Sequence, residues 1–152
     1  ATVARIGGAR VGIRISPYGV FNDMKPDAQM DELYTTLAAE LSALGLVYIH
    51  VVDHSSMGAP AFSPAVKNAI RTHFRGAYIL SGGYDGATAK DALSSGQGEL
   101  VAFGRPYIAN PDLVERLKKG QPLAQPDPNT FYTPGEKGYT DYPVMKAGGV
   151  ES

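Results

Sequence analysis

The chain contains no cysteine, which excludes disulfides and thiolate chemistry and fits a cytoplasmic location. It also lacks an excess of either charge. Fourteen Lys and Arg stand against fifteen Asp and Glu, for a formal net charge of -1. That gives no electrostatic case for nucleic acid or for an anionic membrane surface. No stretch approaches the roughly 18 consecutive apolar residues of a transmembrane helix, and no secretory signal opens the sequence. Histidine is scarce as well. His50 and His54 flank Asp53, but their spacing matches no standard ligand pattern and no fourth donor is evident, so no metal is expected. His73, late in a helix, is suited to that helix's C-terminal carbonyls. The nine tyrosines show no pattern suited to stacking single-stranded nucleic acid.

What is present suffices for one domain with a real core: 152 residues, 43% hydrophobic and 19% charged, an ordinary globular composition. Eighteen Gly and eleven Pro punctuate the chain rather than cluster, which predicts many short, well-defined connections.

Residues 10–16 (RVGIRIS) alternate and are β-rich, reading as a strand. The loop from Pro17 to Pro26 is longer than a typical strand-to-helix connection, and long loops tend to be functional. Asp27 is placed to cap a helix with Met30, Leu33, Leu37, Leu41 and Leu44 on one face, ended by Gly45. Residues 46–52 (LVYIHVV) form a nearly continuous apolar run, as in a strand buried on both sides. A second long loop, from Asp53 to Phe62, leads to Ser63-Pro64, a cap followed by proline at the first helical position. Val66, Ile70 and Phe74 make that helix's buried stripe, and Gly76 stops it. Residues 77–80 read as a third strand, 87–95 as a weaker helix with Ala89 and Leu93 inward, and 100–103 as a fourth strand. A last helix spans 111–119 and ends at Gly120. Strand and helix alternate four times, which argues for a parallel sheet with helices packed on it. After Gly120 the sequence is polar and Pro-rich, without periodicity. It reads as an irregular extension, frayed from Lys146 onward.

One stretch carries a candidate site. In residues 100–113 (LVAFGRPYIANPDL) an apolar run ends at Gly104-Arg105, and a helix start follows, with Asn110 as its cap and Pro111 at its first position. Gly104 permits close backbone approach, and Arg105 offers a planar, permanent charge. A strand end, a glycine, a cation and a helix N-terminus together describe a phosphate seat. The same residues also describe an ordinary strand-to-helix turn with a solvated Arg.

Three motifs in register resemble the old yellow enzyme family of FMN-dependent ene-reductases. They are Arg10-Val-Gly-Ile-Arg14-Ile-Ser-Pro17, Ala102-Phe-Gly-Arg105-Pro-Tyr-Ile-Ala-Asn-Pro-Asp-Leu113, and Phe131-Tyr132 with Gly138-Tyr-Thr-Asp-Tyr-Pro143. The resemblance covers almost the whole chain and implies a (β/α)8 barrel. Such a barrel takes about 250 residues, so these four units imply its C-terminal half, strands five to eight (residues 1–120), followed by an extension packed on the barrel (121–152).

The resemblance also implies roles. Arg14 sits near flavin N1 and the C2 carbonyl, where a fixed cation stabilises the charge of reduced flavin; without the resemblance the residue reads rather as an interior Arg paired with a carboxylate. Gly82, Gly83, Gly104 and Arg105 hold the FMN phosphate, consistent with the phosphate sites formed by the last two loops of such barrels. Ser81-Gly82-Gly83 departs from some relatives in side-chain size but keeps the backbone. Phe21 and Asn22 face the substrate, and Tyr132 reaches over the flavin or the substrate pocket; loop packing is the alternative for all three. Gly135 and Gly138 are equally plain turns.

The implied reaction is NAD(P)H-driven reduction of an activated alkene, a small molecule such as an enal, enone, maleimide or nitro compound. Hydride arrives through the flavin, and a tyrosine from the other half of the barrel supplies the proton. The residues that grip the substrate's activating group belong to the half absent here, so the implied partner is a complementary N-terminal half-barrel polypeptide. An uncovered sheet face and two open edges are aggregation liabilities, which also predicts that the chain occurs with the complementary half. Two other readings stay open: a non-catalytic flavin- or phosphate-binding half barrel that self-associates, and a flavodoxin-like electron carrier. The second fits less well, because such proteins bind phosphate in the first loop.

Overall fold

The structure, a computed structural model, describes residues 1–145, so the fraying expected from Lys146 lies outside the described residues. The chain forms two compact units, Ala1–Ala102 and a second from Phe103 onward.

The first unit holds α1 (Thr2–Ile6), β1 (Gly12–Ile15), α2 (Met30–Ala43), β2 (Tyr48–Val52), α3 (Pro64–His73), β3 (Ala77–Ser81), α4 (Gly86–Ser94) and β4 (Leu100–Ala102). The four strands form one parallel sheet in the order β1-β2-β3-β4. Sequential order means that every crossover steps the same way. Because parallel crossovers are right-handed, all the connecting helices then fall on one face of the sheet. Doubly wound folds reverse direction and place helices on both faces; this sheet does not.

Strand alternation turns Ile15, Ile49, Val51, Tyr78 and Leu80 toward the helices, where they meet Ala38, Leu41, Val66, Ile70, Phe74 and Ala92 in one buried cluster. Ile70, Ile49 and Ala38 are fully buried. The opposite face presents Tyr48 and Leu100, 38% and 54% exposed. The buried stripe expected on α3 is present in full.

Two helical faces differ from the sequence reading. On α2 the inward residues are Tyr34, Leu37, Ala38 and Leu41, spaced i, i+3, i+4, i+7, while Leu33 and Leu44 are exposed. On α4, Ala92 is buried in place of Leu93, which is 40% exposed. Both inward faces include a small alanine; on α4 the leucine beside it is rotated out by about 100°, whereas on α2 Leu37 beside Ala38 stays inward and Leu33 and Leu44 lie off the stripe. Asp27 does not cap α2, which starts at Met30; its carboxylate accepts from the Gln29 amide at 2.8 Å, an Asx turn ahead of the helix.

Helix ends follow the glycines. After α2 the Leu46 amide donates to the Leu41 carbonyl and Gly45, at φ 71, donates to Ser42, which is the paired arrangement of a Schellman motif. The same pair recurs at Gly96 and at Gly120. The capping box of α4, Asp85 with Thr88, and the short helix α1 escaped the sequence reading.

The second unit contains α5 (Arg105–Ala109), α6 (Leu113–Lys119) and a short 3-10 turn at Pro128–Thr130. Asn110 is a correction. It does not cap a following helix but ends α5, wholly buried. Its side-chain amide donates to the Pro106 and Ala124 carbonyls at 2.7 and 3.0 Å, and its oxygen accepts from the Ala124 amide at 2.8 Å. Every polar atom of the amide is therefore used in fastening α5 to the segment after Gly120. Arg116 adds a bond to the Pro122 carbonyl at 3.0 Å and Asp112 one from the Met145 amide at 2.7 Å. The polar extension is thus tied to α5 and α6 by side chains, which periodicity does not reveal.

Candidate functional site

The sheet face away from the helices carries Arg14. In register across the strands lie Arg14, His50, Ile79 and Leu100, and paired positions on one face of a sheet stand side by side. Two pairs nearer the strand starts, the Tyr48 ring lies over Gly12, where any Cβ would come within 2.3 Å of it. Arg14 is exposed, and none of the ion pairs among the described residues includes it. The carboxylate-paired reading of Arg14 is therefore not what the structure shows. Beside it, burial and then the Arg14 charge hold the His50 imidazole below its usual pKa, so it is neutral at pH 7. His50 Nε2 is buried with no hydrogen-bond partner among the described residues.

The loops after β1 and β2 meet one another. Phe21 packs edge-on against His54, ring centres 5.1 Å apart, and Tyr18 packs edge-on against Phe62 at 5.6 Å. The Tyr18 hydroxyl donates to Asp31. Asn22 is exposed with φ 54, in the left-handed region that Asn tolerates better than most residues. The β2 loop is held at its root by Asp53. Its carboxylate accepts from Lys67 Nζ at 2.7 Å and from the Ser55 amide at 2.9 Å. Burial pushes that carboxyl up, but Lys67 and Ser55 outweigh burial and leave it below its ordinary pKa.

Gly82 and Gly83 follow β3 directly, and the two strand tips lie together, since Ser81 at the end of β3 pairs with Ala102 at the end of β4. A Cβ on Gly82, at φ 118, would stand 2.1 Å from the Asp53 carbonyl oxygen; one on Gly83, at φ 69, would stand 3.0 Å from Ser56 Cβ. The chain's own β2 loop therefore excludes a side chain at Gly82 and crowds one at Gly83, where the positive φ also favours glycine. Gly104 differs: its φ is -95, and a Cβ there would meet nothing within 4 Å. No described atom explains why this position is glycine.

In the second unit Arg105 is the first residue of α5, and it lines a cleft of about 530 Å³ together with Tyr107, Phe131, Tyr132, Gly138 and Tyr139. Tyr132 is 96% exposed and holds a left-handed φ of 60. Gly138 is fixed by packing, because a Cβ would come within 2.1 Å of Thr130 Oγ1. The structure thus brings Arg105 and Tyr132 into one cleft, and it brings Phe21 to His54 and Arg14 to His50. The sequence reading weighed His50 and His54 only as metal ligands and gave Tyr107 and Tyr139 no role. Strand parity with Arg14 is the signal that points to His50; the contact of His54 with Phe21 leaves no trace in spacing. Three or more His or acidic side chains that could hold a metal do not gather anywhere among the described residues.

Within each unit the residues present fit part of FMN. In the first, an exposed guanidinium outside the ion pairs of the described residues suits an anionic ring edge. In the second, a guanidinium in an aromatic cleft suits a phosphate beside a flat ring.

Comparison with known proteins agrees. A profile of the NADH:flavin oxidoreductase / NADH oxidase family matches residues 1–124. A 12-oxophytodienoate reductase-like protein of Solanum lycopersicum is 37% identical over 96% of this chain and 39% of its own length. A probable flavin mononucleotide-dependent alkene reductase of Leishmania infantum is 38% identical over 95% of this chain and 39% of its own. Among solved structures, a morphinone reductase variant in complex with tetrahydroNAD superimposes with a TM-score of 0.87 at 39% identity, covering 96% of this chain and 39% of that one. The old yellow enzyme of Trypanosoma cruzi gives 0.85 at 34% identity, covering 95% and 37%. The chain therefore spans about 39% of the length of the curated relatives it matches, and its parallel α/β architecture matches the corresponding part of the old yellow enzyme fold. By the matched profile and the relatives' identity, this chain belongs to the FMN-dependent NADH:flavin oxidoreductase / NADH oxidase family, that of the old yellow enzymes.

Proposed function

We propose that this chain is the C-terminal half, strands five to eight, of a (β/α)8 ene-reductase, with residues 1–120 as barrel units and 121–152 as an extension. The complementary N-terminal half comes from another chain or segment. The observation that carries the reading is the one-way parallel sheet with its helices on one face and Arg14 on the other. The limited share of each relative that the chain matches also supports it.

FMN, when bound, supplies the hydride chemistry that links NAD(P)H to an activated alkene. This chain's residues bind and tune it. Arg14 offers a fixed positive charge to the flavin's pyrimidine edge, favouring the state in which that edge is negative. Gly104 and Arg105 hold the phosphate, Gly104 by letting the backbone come close and Arg105 by a charge-assisted fork. Gly82 and Gly83, pinned by the β2 loop, offer backbone N–H groups to phosphate at the tip of β3. Tyr132 closes over the flavin or the substrate, and Phe21 and Asn22 line the substrate side. Activation of the alkene and delivery of the proton fall to the other half, as does most of the choice among enals, enones, maleimides and nitro compounds.

The test is reconstitution. The chain is mixed with the N-terminal half of a relative's barrel, FMN and NADPH, and alkene reduction is followed. Activity that needs both halves supports the proposal. A soluble, cooperatively folding monomer refutes the need for a complementary half, and tight FMN binding by the chain alone favours the self-associating flavin-binding reading instead.

A further inference from the structure

The open sheet face holds one buried polar atom that the proposed roles leave unused, His50 Nε2. His50 is the register partner of Arg14 on the adjacent strand. Neighbouring strands lie about 4.8 Å apart, so paired side chains on one face are within reach of each other. The groups facing His50 are few: Arg14 from β1, the apolar Ile79 from β3, and Tyr48 and Val52 two residues away on its own strand. No carboxylate is among them, so the imidazole gains nothing from a proton beside a guanidinium. A buried nitrogen left without a partner is costly, whereas Arg carries five donors and no acceptor. The other donor on this face, Tyr48, has its ring over Gly12, which leaves Arg14, the register partner, as the group placed to satisfy an sp² nitrogen acceptor.

We propose that His50 is a positioning residue for Arg14: a neutral imidazole protonated at Nδ1, whose Nε2 accepts a hydrogen bond from the guanidinium and aims it at the flavin's pyrimidine edge. This rests on the placement of Arg14 given above. An arginine on an open face has several rotatable bonds, and each unconstrained rotamer dilutes the field it applies to the flavin. One fixed acceptor beside its root removes most of that freedom without adding charge. A carboxylate there would anchor Arg14 as well but would cancel its field.

The test is a double-mutant cycle in the assembled, FMN-loaded protein, with Arg14→Met, His50→Phe and the pair, read as the two-electron flavin potential. His50→Phe is expected to weaken binding of reduced relative to oxidised flavin about tenfold, equivalent to about 30 mV more negative. His50→Asn, which keeps an acceptor, is expected to restore most of the shift. In the Arg14→Met background His50→Phe is expected to change nothing further. An unchanged potential in His50→Phe, with a lowered one in Arg14→Met, overturns the role of His50 alone. An unchanged potential in Arg14→Met overturns the placement of Arg14. Equal shifts in both backgrounds show that His50 acts independently and likewise overturn the inference. Nitrogen NMR of the unmutated protein at pH 7 decides without any variant: a neutral, Nδ1-protonated His50 supports the inference, and a charged or Nε2-protonated ring refutes it.

Discussion

Gly104→Ala separates binding from folding more cleanly than any other change at the site. The added methyl meets no atom within 4 Å, and φ is -95, a value open to every L-residue. Folding should therefore be altered by no more than about 0.5 kcal/mol. At a phosphate seat the same methyl pushes the phosphate away from the backbone and weakens at least one charge-assisted hydrogen bond, a loss of about 1.5–3 kcal/mol. That corresponds to an FMN affinity lower by roughly 10- to 150-fold. Gly82→Ala is the contrast. Its methyl would sit 2.1 Å from the Asp53 carbonyl oxygen and 2.9 Å from two further Asp53 atoms, at φ 118. Backbone strain of about 1–3 kcal/mol and overpacking of about 1–3 kcal/mol make a folding defect of roughly 4 kcal/mol. Denaturation without flavin and FMN titration by fluorescence quenching measure the two quantities separately. A Gly104→Ala protein that is several degrees less stable but binds FMN normally refutes the reasoning, as does a Gly82→Ala protein as stable as its parent.

Ile70→Ala, at a fully buried position beneath the sheet, should cost about 2–5 kcal/mol by denaturation, with flavin affinity per folded molecule unchanged. Asn110→Ala strands the Ala124 amide and carbonyl and the Pro106 carbonyl; a loss of roughly 2–4 kcal/mol is expected, visible as early proteolysis after Gly120. Stability should fall with acid in two stages. His50, held neutral by burial and by Arg14, binds a proton more weakly folded than unfolded, so stability declines as pH drops below about 6.5. Asp53 and Glu99 are both depressed in spite of burial, by Lys67 and Ser55 in one case and by the Tyr78 amide and Arg71 in the other; their contribution is present above about pH 4 and is lost below it. His50→Asn should flatten the first stage and leave the second, as read from melts across pH.

Much of this was legible in the sequence because strand and helix signals there are strong and local. The alternation around Arg14, the apolar run into Val52 and the stripe of Val66, Ile70 and Phe74 each declare an element and a face. The glycines after α2 and α6 likewise announce those ends. What the sequence obscured was rotational and long-range. Ala38 and Ala92 face inward, although hydrophobicity ranks them below the exposed Leu33 and Leu93. Asn110 looked like a cap because its neighbours are Pro111 and Asp112, yet its partner lies at Ala124, beyond the reach of local pattern. The glycine at Gly82 resembled a ligand-contact glycine, while the Asp53 backbone accounts for it. At Gly104 nothing in the chain itself crowds a side chain.

The central claim is that this chain grips FMN by its phosphate. The direct measurement compares FMN with riboflavin, which lacks that group, in the assembled protein carrying either Arg105 or Arg105→Met. The account predicts at least tenfold tighter binding of FMN than of riboflavin, with most of that preference lost in Arg105→Met. Equal affinities for FMN and riboflavin, or an undiminished preference without the guanidinium, would contradict it.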